Sequence, residues 1–204
     1  MRCSVSVTKF FRNLQPRRLE WEAGLNCLTG PNGAGKTTLA RLLCGLVRPM
    51  AGSVSIRRDG ALVRADAPLL RTTVAYVFQN PDYQLFLPTV REELAYGLVE
   101  AGADAPAVER GVADAVRRFD LPEPAAPVAL LSYGTRKRLQ MAVYHLLGRP
   151  LVILDEADAG LTREQFAASL EAFRSAGASL LVISHDEAVS ALCDRLIAMA
   201  GGVA

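Results

Sequence analysis

Apolar and polar residues follow two different periods along the chain. Short apolar runs of strand type, bounded by turn residues or charges, come first and cover residues 4–9, 25–28, 52–57 and 74–78. Two amphipathic segments follow. Residues 89–100 carry apolar side chains at positions 90, 94 and 98, and residues 107–119 carry them at 108, 112, 116 and 119. This spacing is that of a helix with one buried face, so the pattern predicts strands first and helices afterwards.

The last third of the chain alternates between strand and helix patterns. Continuous apolar runs at 151–154 (LVIL) and 179–183 have strand length, and a further strand pattern lies at 195–199. Helix patterns cover 163–175 and begin again at 186, while a Pro/Ala linker at 121–127 precedes a helix that begins near Ser132. Continuous apolar strands joined by helices predict a parallel sheet buried on both faces. The earlier helices then form an insertion at roughly 88–148.

Composition and charge indicate a globular protein but do not indicate what it binds. The chain has 204 residues, half of them hydrophobic, which suits a single domain over 1–204. Its 23 Lys and Arg against 21 Asp and Glu are too balanced to favour a nucleic-acid partner. The longest stretch without charge, 23–35, is shorter than the ~20 apolar residues that span a bilayer. The N-terminus lacks a signal-peptide pattern, so we expect a cytosolic protein.

A glycine-rich segment between a predicted strand and a predicted helix carries the clearest chemistry. Residues 30–38 (GPNGAGKTT) match the motif G-x-x-x-x-G-K-[ST], and they lie where this motif occurs, after a strand and before a helix. Such glycines let main-chain amides point at phosphate oxygens, and the following helix adds its positive end. The alternative is a glycine-rich turn without a ligand. The predicted nucleotide-binding residues are Gly30, Pro31, Asn32, Gly33, Ala34, Gly35, Lys36, Thr37 and Thr38, with Lys36 on the β- and γ-phosphates and Thr37 also on Mg²⁺.

Two carboxylates end the apolar strand at 151–154. Because side chains alternate along a strand, Asp155 and Glu156 are expected to point in different directions. Asp155 would then bind Mg²⁺ through its water shell, and Glu156 would orient or deprotonate the attacking water. An acidic strand end in solvent is the alternative. His185 follows the next apolar strand and emerges at the edge where open α/β sheets bind ligands, although such a histidine can equally be structural.

The order of these motifs resembles that of the nucleotide-binding subunits of ABC (ATP-binding cassette) transporters, over nearly the whole chain. Besides the phosphate loop and LVILDE, the resemblance rests on Gln79 in YVFQNPD, on LSYGT at 131–135, on AGLT at 159–162 and on His185 in VISHD. It implies an α/β fold of the P-loop NTPase type with a mainly parallel central sheet, an N-terminal antiparallel β sub-domain and an inserted helical sub-domain. It also implies ATP, Mg²⁺ and a dimer with a second ABC ATPase subunit, identical or homologous.

The resemblance also implies a role for each site residue. The phosphate loop of one subunit would face Ser132 and Gly134 of the other. Gln79 would contact Mg²⁺ and sense a transmembrane partner, His185 would hold the γ-phosphate, and Phe11 or Phe10 would stack on adenine. From the residues alone, Ser132 is expected to be a helix N-cap, with Gly134 leaving the approach to the helix end open; a plain capped helix is the alternative.

Three residues depart from the family pattern. The family has LSGGQ where this chain has Tyr133 and Thr135, and it has Asp where this chain has Thr162. Thr162 lacks a carboxylate that the family uses across the dimer. The alternative function is therefore an ATP-binding dimerisation or regulatory module with a degenerate site.

Residues 79–97 are most similar to ABC ATPases of the energy-coupling-factor type, which drive uptake of vitamins, biotin, cobalt or nickel. Tyr83, Leu85, Phe86 and Leu87 are the candidate dock for a transmembrane subunit, within 79–89; local packing is the alternative. We therefore expect an ATP-hydrolysing importer subunit at the cytoplasmic face of the cell membrane. A soluble ABC ATPase acting on ribosomes or DNA is a further alternative. It is less favoured, because such proteins usually have tandem cassettes or long coiled coils, and neither fits in 204 residues. A small P-loop kinase does not account for Gln79, LSYG and VISHD together.

Overall fold

The computed structural model describes residues 3–7, 17–21, 23–48, 53–58 and 61–199. Within them, five parallel strands form the central sheet in the spatial order β6-β7-β8-β3-β9. These strands are Leu25–Thr29 (β3), Val74–Val77 (β6), Leu151–Asp155 (β7), Ser179–Ile183 (β8) and Arg195–Ala198 (β9). The predicted mainly parallel sheet is confirmed.

The central strands β7 and β8 are buried along their whole length. Their alternate residues belong to two separate apolar clusters, one on each face of the sheet. Val152 and Leu154 pack with the helices that follow β6 in the chain, whereas Leu151 and Ile153 pack with the helix that follows β3. Burial of both faces explains why these strands read as continuous apolar runs.

Four antiparallel strands form a second sheet in the order β2-β1-β4-β5 among the described residues. They are Cys3–Val7 (β1), Arg17–Trp21 (β2), Val54–Arg58 (β4) and Ala61–Ala65 (β5). The predicted N-terminal antiparallel sheet is confirmed, although the pattern had indicated only β1 and β4. The sequences of β2 and β5, RRLEW and ALVRA, carry charges and lack a clean alternation, and pairing with β1 and β4 holds them in strands.

The helices are Lys36–Leu43 (α1), Ala67–Thr73 (α2), Val90–Glu100 (α3), Ala105–Arg118 (α4), Tyr133–Leu146 (α5), Arg163–Ser175 (α6) and Glu187–Ser190 (α7). Short 3₁₀ turns lie at Pro81–Tyr83 and Val128–Leu130. Helix α2 was not predicted; Asp66 caps it by accepting from the Leu69 amide. Helices α3, α4 and α5 pack on one another, and the apolar residues predicted to be their buried faces contribute to the core. No helix in the described part of the chain is long and apolar enough to span a bilayer.

Candidate active site

The strand order places the predicted site residues side by side. Gln79 follows β6, Asp155 ends β7 and Glu156 follows it, and His185 follows β8. The phosphate loop follows β3, the next strand in the sheet. Because these strands are parallel, all four segments leave the sheet at its carboxyl edge, the edge at which open α/β sheets bind ligands.

The phosphate loop is closed on one side and open on the other. Gly30, Gly33 and Gly35 have φ angles of 151°, 79° and 90°, a region that side chains disfavour. A Cβ at Gly30 would lie 2.5 Å from the Met199 carbonyl oxygen, whereas one at Gly33 would meet nothing within 4 Å. Gly35 is the N-cap of α1 and supplies no side chain to bind the first amides of that helix. The loop therefore offers space and main-chain donors to an anion.

Lys36 is held by the loop to which it belongs. Its Nζ donates to the carbonyl oxygens of Gly30 at 2.7 Å and of Pro31 at 3.0 Å. Its side chain is nearly buried, with only 6% of the residue exposed. An ammonium group has three N–H donors. The two contacts recorded among the described residues thus leave one donor for a phosphate oxygen.

Glu156 is the centre of a three-residue contact. The Gln79 side-chain amide donates a short hydrogen bond to Glu156 Oε2, and His185 Nε2 lies 3.5 Å from Glu156 Oε1. Both partners lie just after strands that neighbour β7. The structure therefore brings together the three polar side chains that the sequence analysis placed around the reacting phosphate.

Asp155 and Glu156 do point to different partners, but for a reason other than strand alternation. Strand β7 ends at Asp155, and Glu156 adopts a left-handed conformation with φ 47° while its amide donates to Ile183 O at 2.8 Å. Asp155 Oδ2 instead accepts from the Tyr76 hydroxyl at 2.5 Å. Burial, and then this hydrogen bond to a carboxylate, raise the pKa of Tyr76, so its hydroxyl remains a donor to Asp155.

The donor set at this edge suits a hard divalent cation. Thr37 offers a hydroxyl, Gln79 an amide oxygen and the buried Asp155 a carboxylate, all of them oxygen donors. The described residues contain no cluster of three or more His, Cys, Asp or Glu able to hold a metal by themselves. Mg²⁺ typically takes one or two carboxylates and completes its shell with water and substrate phosphates. The residues present therefore fit Mg²⁺ that arrives together with a nucleotide.

Ser132 is the N-cap of α5, as predicted. Its Oγ accepts from the Thr135 amide at 3.2 Å and lies 2.9 Å from the Thr135 hydroxyl. Gly134 has a packing role that the sequence had not indicated, since a Cβ there would lie 2.5 Å from the Gly160 carbonyl oxygen. The LSYGT segment thus packs on the loop that follows the acid pair. Thr162, at the end of that loop, forms a capping box with Gln165 at the start of α6.

Helix α5 is connected to the end of β6 by side chains that no sequence motif had indicated. Lys137 is fully buried and its Nζ donates to Phe78 O at 3.1 Å. Gln140 Nε2 donates to the same oxygen at 3.2 Å, and Gln84 Oε1 accepts from the Phe78 amide at 2.9 Å. One sequence signal did exist, because Lys137 is among only three lysines in the chain.

The predicted dock for a transmembrane subunit divides into exposed and packed residues. Tyr83 and Phe86 are 78% and 67% exposed, and the Phe86 ring meets the exposed Tyr96 edge-on at 5.4 Å. Leu85 instead packs against the core, and Leu87 is half-buried. The exposed aromatic patch, defined here as Tyr83, Phe86 and Tyr96, remains available to a partner. Phe10 and Phe11, predicted to stack on adenine, lie outside the described residues.

A family model and two known proteins all relate the chain to ATP-binding proteins of ABC transporters. A family model described as ABC transporter matches residues 21–159. The chain is similar to the nickel import ATP-binding protein LarO of Lactiplantibacillus plantarum, with 36% identity over 181 residues, 84% of this chain and 75% of that protein. It is also similar to the energy-coupling factor transporter ATP-binding protein EcfA of Methanothermobacter thermautotrophicus, with 36% identity over 182 residues, 85% of this chain and 58% of that protein.

A solved structure shares the fold over most of both chains. It is CbiO1 from Clostridium perfringens, described as part of the ABC transporter complex CbiONQ. The TM-score is 0.84 at 25% identity, and the alignment covers 96% of this chain and 83% of that one. The chain spans three quarters of the nickel relative and less than two thirds of the energy-coupling factor relative.

Proposed function

Because the chain belongs to the ABC transporter family of ATP-binding proteins, we infer that it binds and hydrolyses ATP to power a membrane importer. The observation that carries this inference is the contact of Gln79 and His185 with Glu156, beside a phosphate loop at one edge of the sheet. Relatives named as nickel import and energy-coupling factor proteins support an importer of that type, for a transition-metal ion or a vitamin.

Binding begins at the phosphate loop. The main-chain amides of residues 33–38 and the Lys36 ammonium bind the β- and γ-phosphates, since the loop is open above Gly33 and α1 begins with an uncapped turn. Thr37, Gln79 and Asp155 would hold Mg²⁺, which neutralises phosphate charge when it is bound. Phe11 is proposed to stack on the adenine.

Glu156 acts as the general base. One carboxylate oxygen takes the proton of the attacking water, while the hydrogen bond from Gln79 holds the side chain towards the γ-phosphate side of the site. His185, which lies next to Glu156, is proposed to donate from its ring to the γ-phosphate. The left-handed backbone at Glu156 directs its side chain away from the partners of Asp155, which separates the basic and metal-binding roles.

A second ATPase subunit and a transmembrane subunit complete the assembly. We propose that Ser132 and Gly134 face the nucleotide of an identical or homologous partner, because they lie at the positive end of α5. The exposed aromatic patch, within residues 79–89 and on α3, is proposed to contact the transmembrane subunit. The chain would then lie peripherally on the cytoplasmic face of the membrane. Purification of the native assembly with identification of every subunit tests these partners.

Substitution of Lys36 tests ATP hydrolysis itself. Lys36→Ala is expected to reduce phosphate release by roughly 10²–10³-fold, because a preorganised charge on the phosphates is lost. The unfolding free energy should fall by roughly 3 kcal/mol, since two hydrogen bonds from the charged ammonium to loop carbonyls disappear. Arg41→Ala, which removes an exposed cation from the same helix, is the control and should retain turnover. Normal turnover in Lys36→Ala would refute the assignment of the loop.

A further inference from the structure

Tyr133 forms a contact that no glycine at this position could form. It is the first residue of α5, and its hydroxyl donates to the main-chain oxygen of Gln79 at 3.1 Å. The family pattern LSGGQ has glycine here. The bond therefore connects the start of α5 to the backbone of the residue whose side chain binds Glu156.

The ring of Tyr133 makes a second contact, with the loop after the acid pair. A Cβ at Gly160 would lie 2.7 Å from Cδ1 of Tyr133 and 3.2 Å from Cε1, so the ring lies directly over this glycine. Gly160 itself has φ 80°, which favours a residue without a side chain. Since Gly134 packs on the Gly160 carbonyl, the helix start, the loop and Gln79 form one packed unit.

Neighbouring contacts hold the segments on both sides of Gln79. Before it, the Phe78 carbonyl accepts from the buried Lys137 ammonium. After it, Asp82 forms an ion pair with Arg136 at 3.2 Å. These contacts fix the ends of the segment, whereas the Tyr133 hydroxyl binds Gln79 directly.

We propose that Tyr133 is a positioning residue that fixes the Gln79 main chain so that its side-chain amide reaches Glu156. The kinetic part of this proposal rests on the proposed function. Ser132 and Gly134 flank Tyr133 and are the residues proposed to meet the partner's nucleotide. Movement of the helix start against that nucleotide is thus passed, through Tyr133 and Gln79, to the general base of the chain's own site.

Two substitutions separate the hydroxyl from the ring. Tyr133→Phe deletes the hydrogen bond and keeps the ring over Gly160, whereas Tyr133→Gly deletes both. Thr72→Val is the matched control, because it also removes an exposed hydroxyl that donates to main-chain carbonyls, in α2. Each variant is compared with the wild type in amide hydrogen exchange without ATP and in steady-state hydrolysis with the native partner subunits.

In Tyr133→Phe we expect amides of residues 78–84 to exchange roughly 3–10-fold faster, the effect of losing one neutral hydrogen bond. The kcat for ATP should fall by a similar factor with KM unchanged, since the phosphate loop is untouched. Tyr133→Gly should also accelerate exchange at 159–162, and Thr72→Val should change none of these values.

Unchanged exchange at 78–84 in Tyr133→Phe overturns the contact, and faster exchange with a wild-type kcat overturns the positioning role. A rise in KM without a fall in kcat also contradicts it. If the wild-type assembly hydrolyses no ATP, the proposed function fails instead, and the exchange rates still decide whether Tyr133 holds Gln79.

Discussion

Lys137 is the residue whose environment departs most from that of an ordinary surface lysine. It is fully buried, and burial lowers its pKa from 10.5 to about 8, although Asp158, Asp155 and Glu156 partly oppose that shift by favouring the charged form. Its ammonium group keeps the Phe78 carbonyl satisfied. A buried cation near Asp155 and Glu156 thus connects α5 to Phe78, the residue before Gln79.

The lowered pKa of Lys137 predicts a pH dependence of stability. Below pH 8 Lys137 is protonated in both the folded and the unfolded chain, so burial of its charge destabilises the folded chain to the full extent. Between pH 8 and 10.5 the folded chain releases this proton while the unfolded chain keeps it, so stability rises with pH. From pH 7 to 9.5 the rise is about 2 kcal/mol.

Denaturant unfolding at the two pH values measures this rise, with Lys137→Met as the reference because it keeps the length of the side chain and cannot titrate. Relative to the free energy of unfolding of the variant, that of the wild type should rise by about 2 kcal/mol from pH 7 to pH 9.5. A difference that is independent of pH would show that Lys137 is charged and solvated in the folded protein.

Single residues differed in how far the sequence revealed them. The positions of Ser132, Lys36 and Glu156 at a helix start or a strand end were predictable, because their motifs specify the local geometry. The contacts of Tyr76 and Tyr133 were not predictable, since their partners Asp155 and Gln79 lie 79 and 54 positions away in the chain. Such contacts follow from strand order and helix packing, which local sequence does not contain.

Among the secondary-structure elements, those with a strong apolar period or a clear cap were predictable. Helix α3 begins with a capping box of Thr89 and Glu92, and β7 and β8 are continuous apolar runs. Strands β2 and β5 were missed because pairing with neighbours, not their own sequence, stabilises them. The loop before α3 depends on the buried Glu93, whose carboxylate accepts from the amides of residues 86 and 87.

This loop carries Phe86, the central residue of the exposed aromatic patch, and substitution of Phe86 tests the role of the patch. Phe86→Asp should leave a folded chain that binds ATP and lose the transmembrane subunit, because a carboxylate would be buried in an apolar contact. Co-purification of that subunit should fall by roughly tenfold or more. Leu196→Asp, in which an apolar residue that is 61% exposed on β9 becomes charged, is the matched control.

If Phe86→Asp retains the transmembrane subunit, the patch does not bind that subunit, and local packing is the better interpretation of these residues. Loss of the subunit in both variants would point to general instability instead, which thermal unfolding of the two variants distinguishes.

The order of strands in the central sheet explains why residues that are far apart in the chain form one site. In the chain, the phosphate loop comes first and Gln79, the acid pair and His185 follow at long intervals. In the sheet, their strands lie next to one another as β6, β7, β8 and β3. The parallel sheet was predictable from the apolar runs, but this order was not, because it depends on which strands pair across the fold. The family resemblance supplied the set of residues, and the topology shows why they meet.

Dimerisation belongs to this scale as well. If Ser132 and Gly134 bind the partner's nucleotide, an ATPase that cannot complete hydrolysis should remain dimeric with ATP. Glu156→Gln is the suitable variant, because it keeps the size and hydrogen-bonding reach of the side chain and removes its basicity. It can still accept from Gln79.

Phosphate release from Glu156→Gln in the assembled complex decides whether Glu156 is the general base of an ATPase site at the carboxyl edge of the sheet. If Glu156 is the general base, Glu156→Gln binds ATP normally and its chemical step slows by roughly 10²–10⁴-fold. Hydrolysis at the wild-type rate would contradict this role.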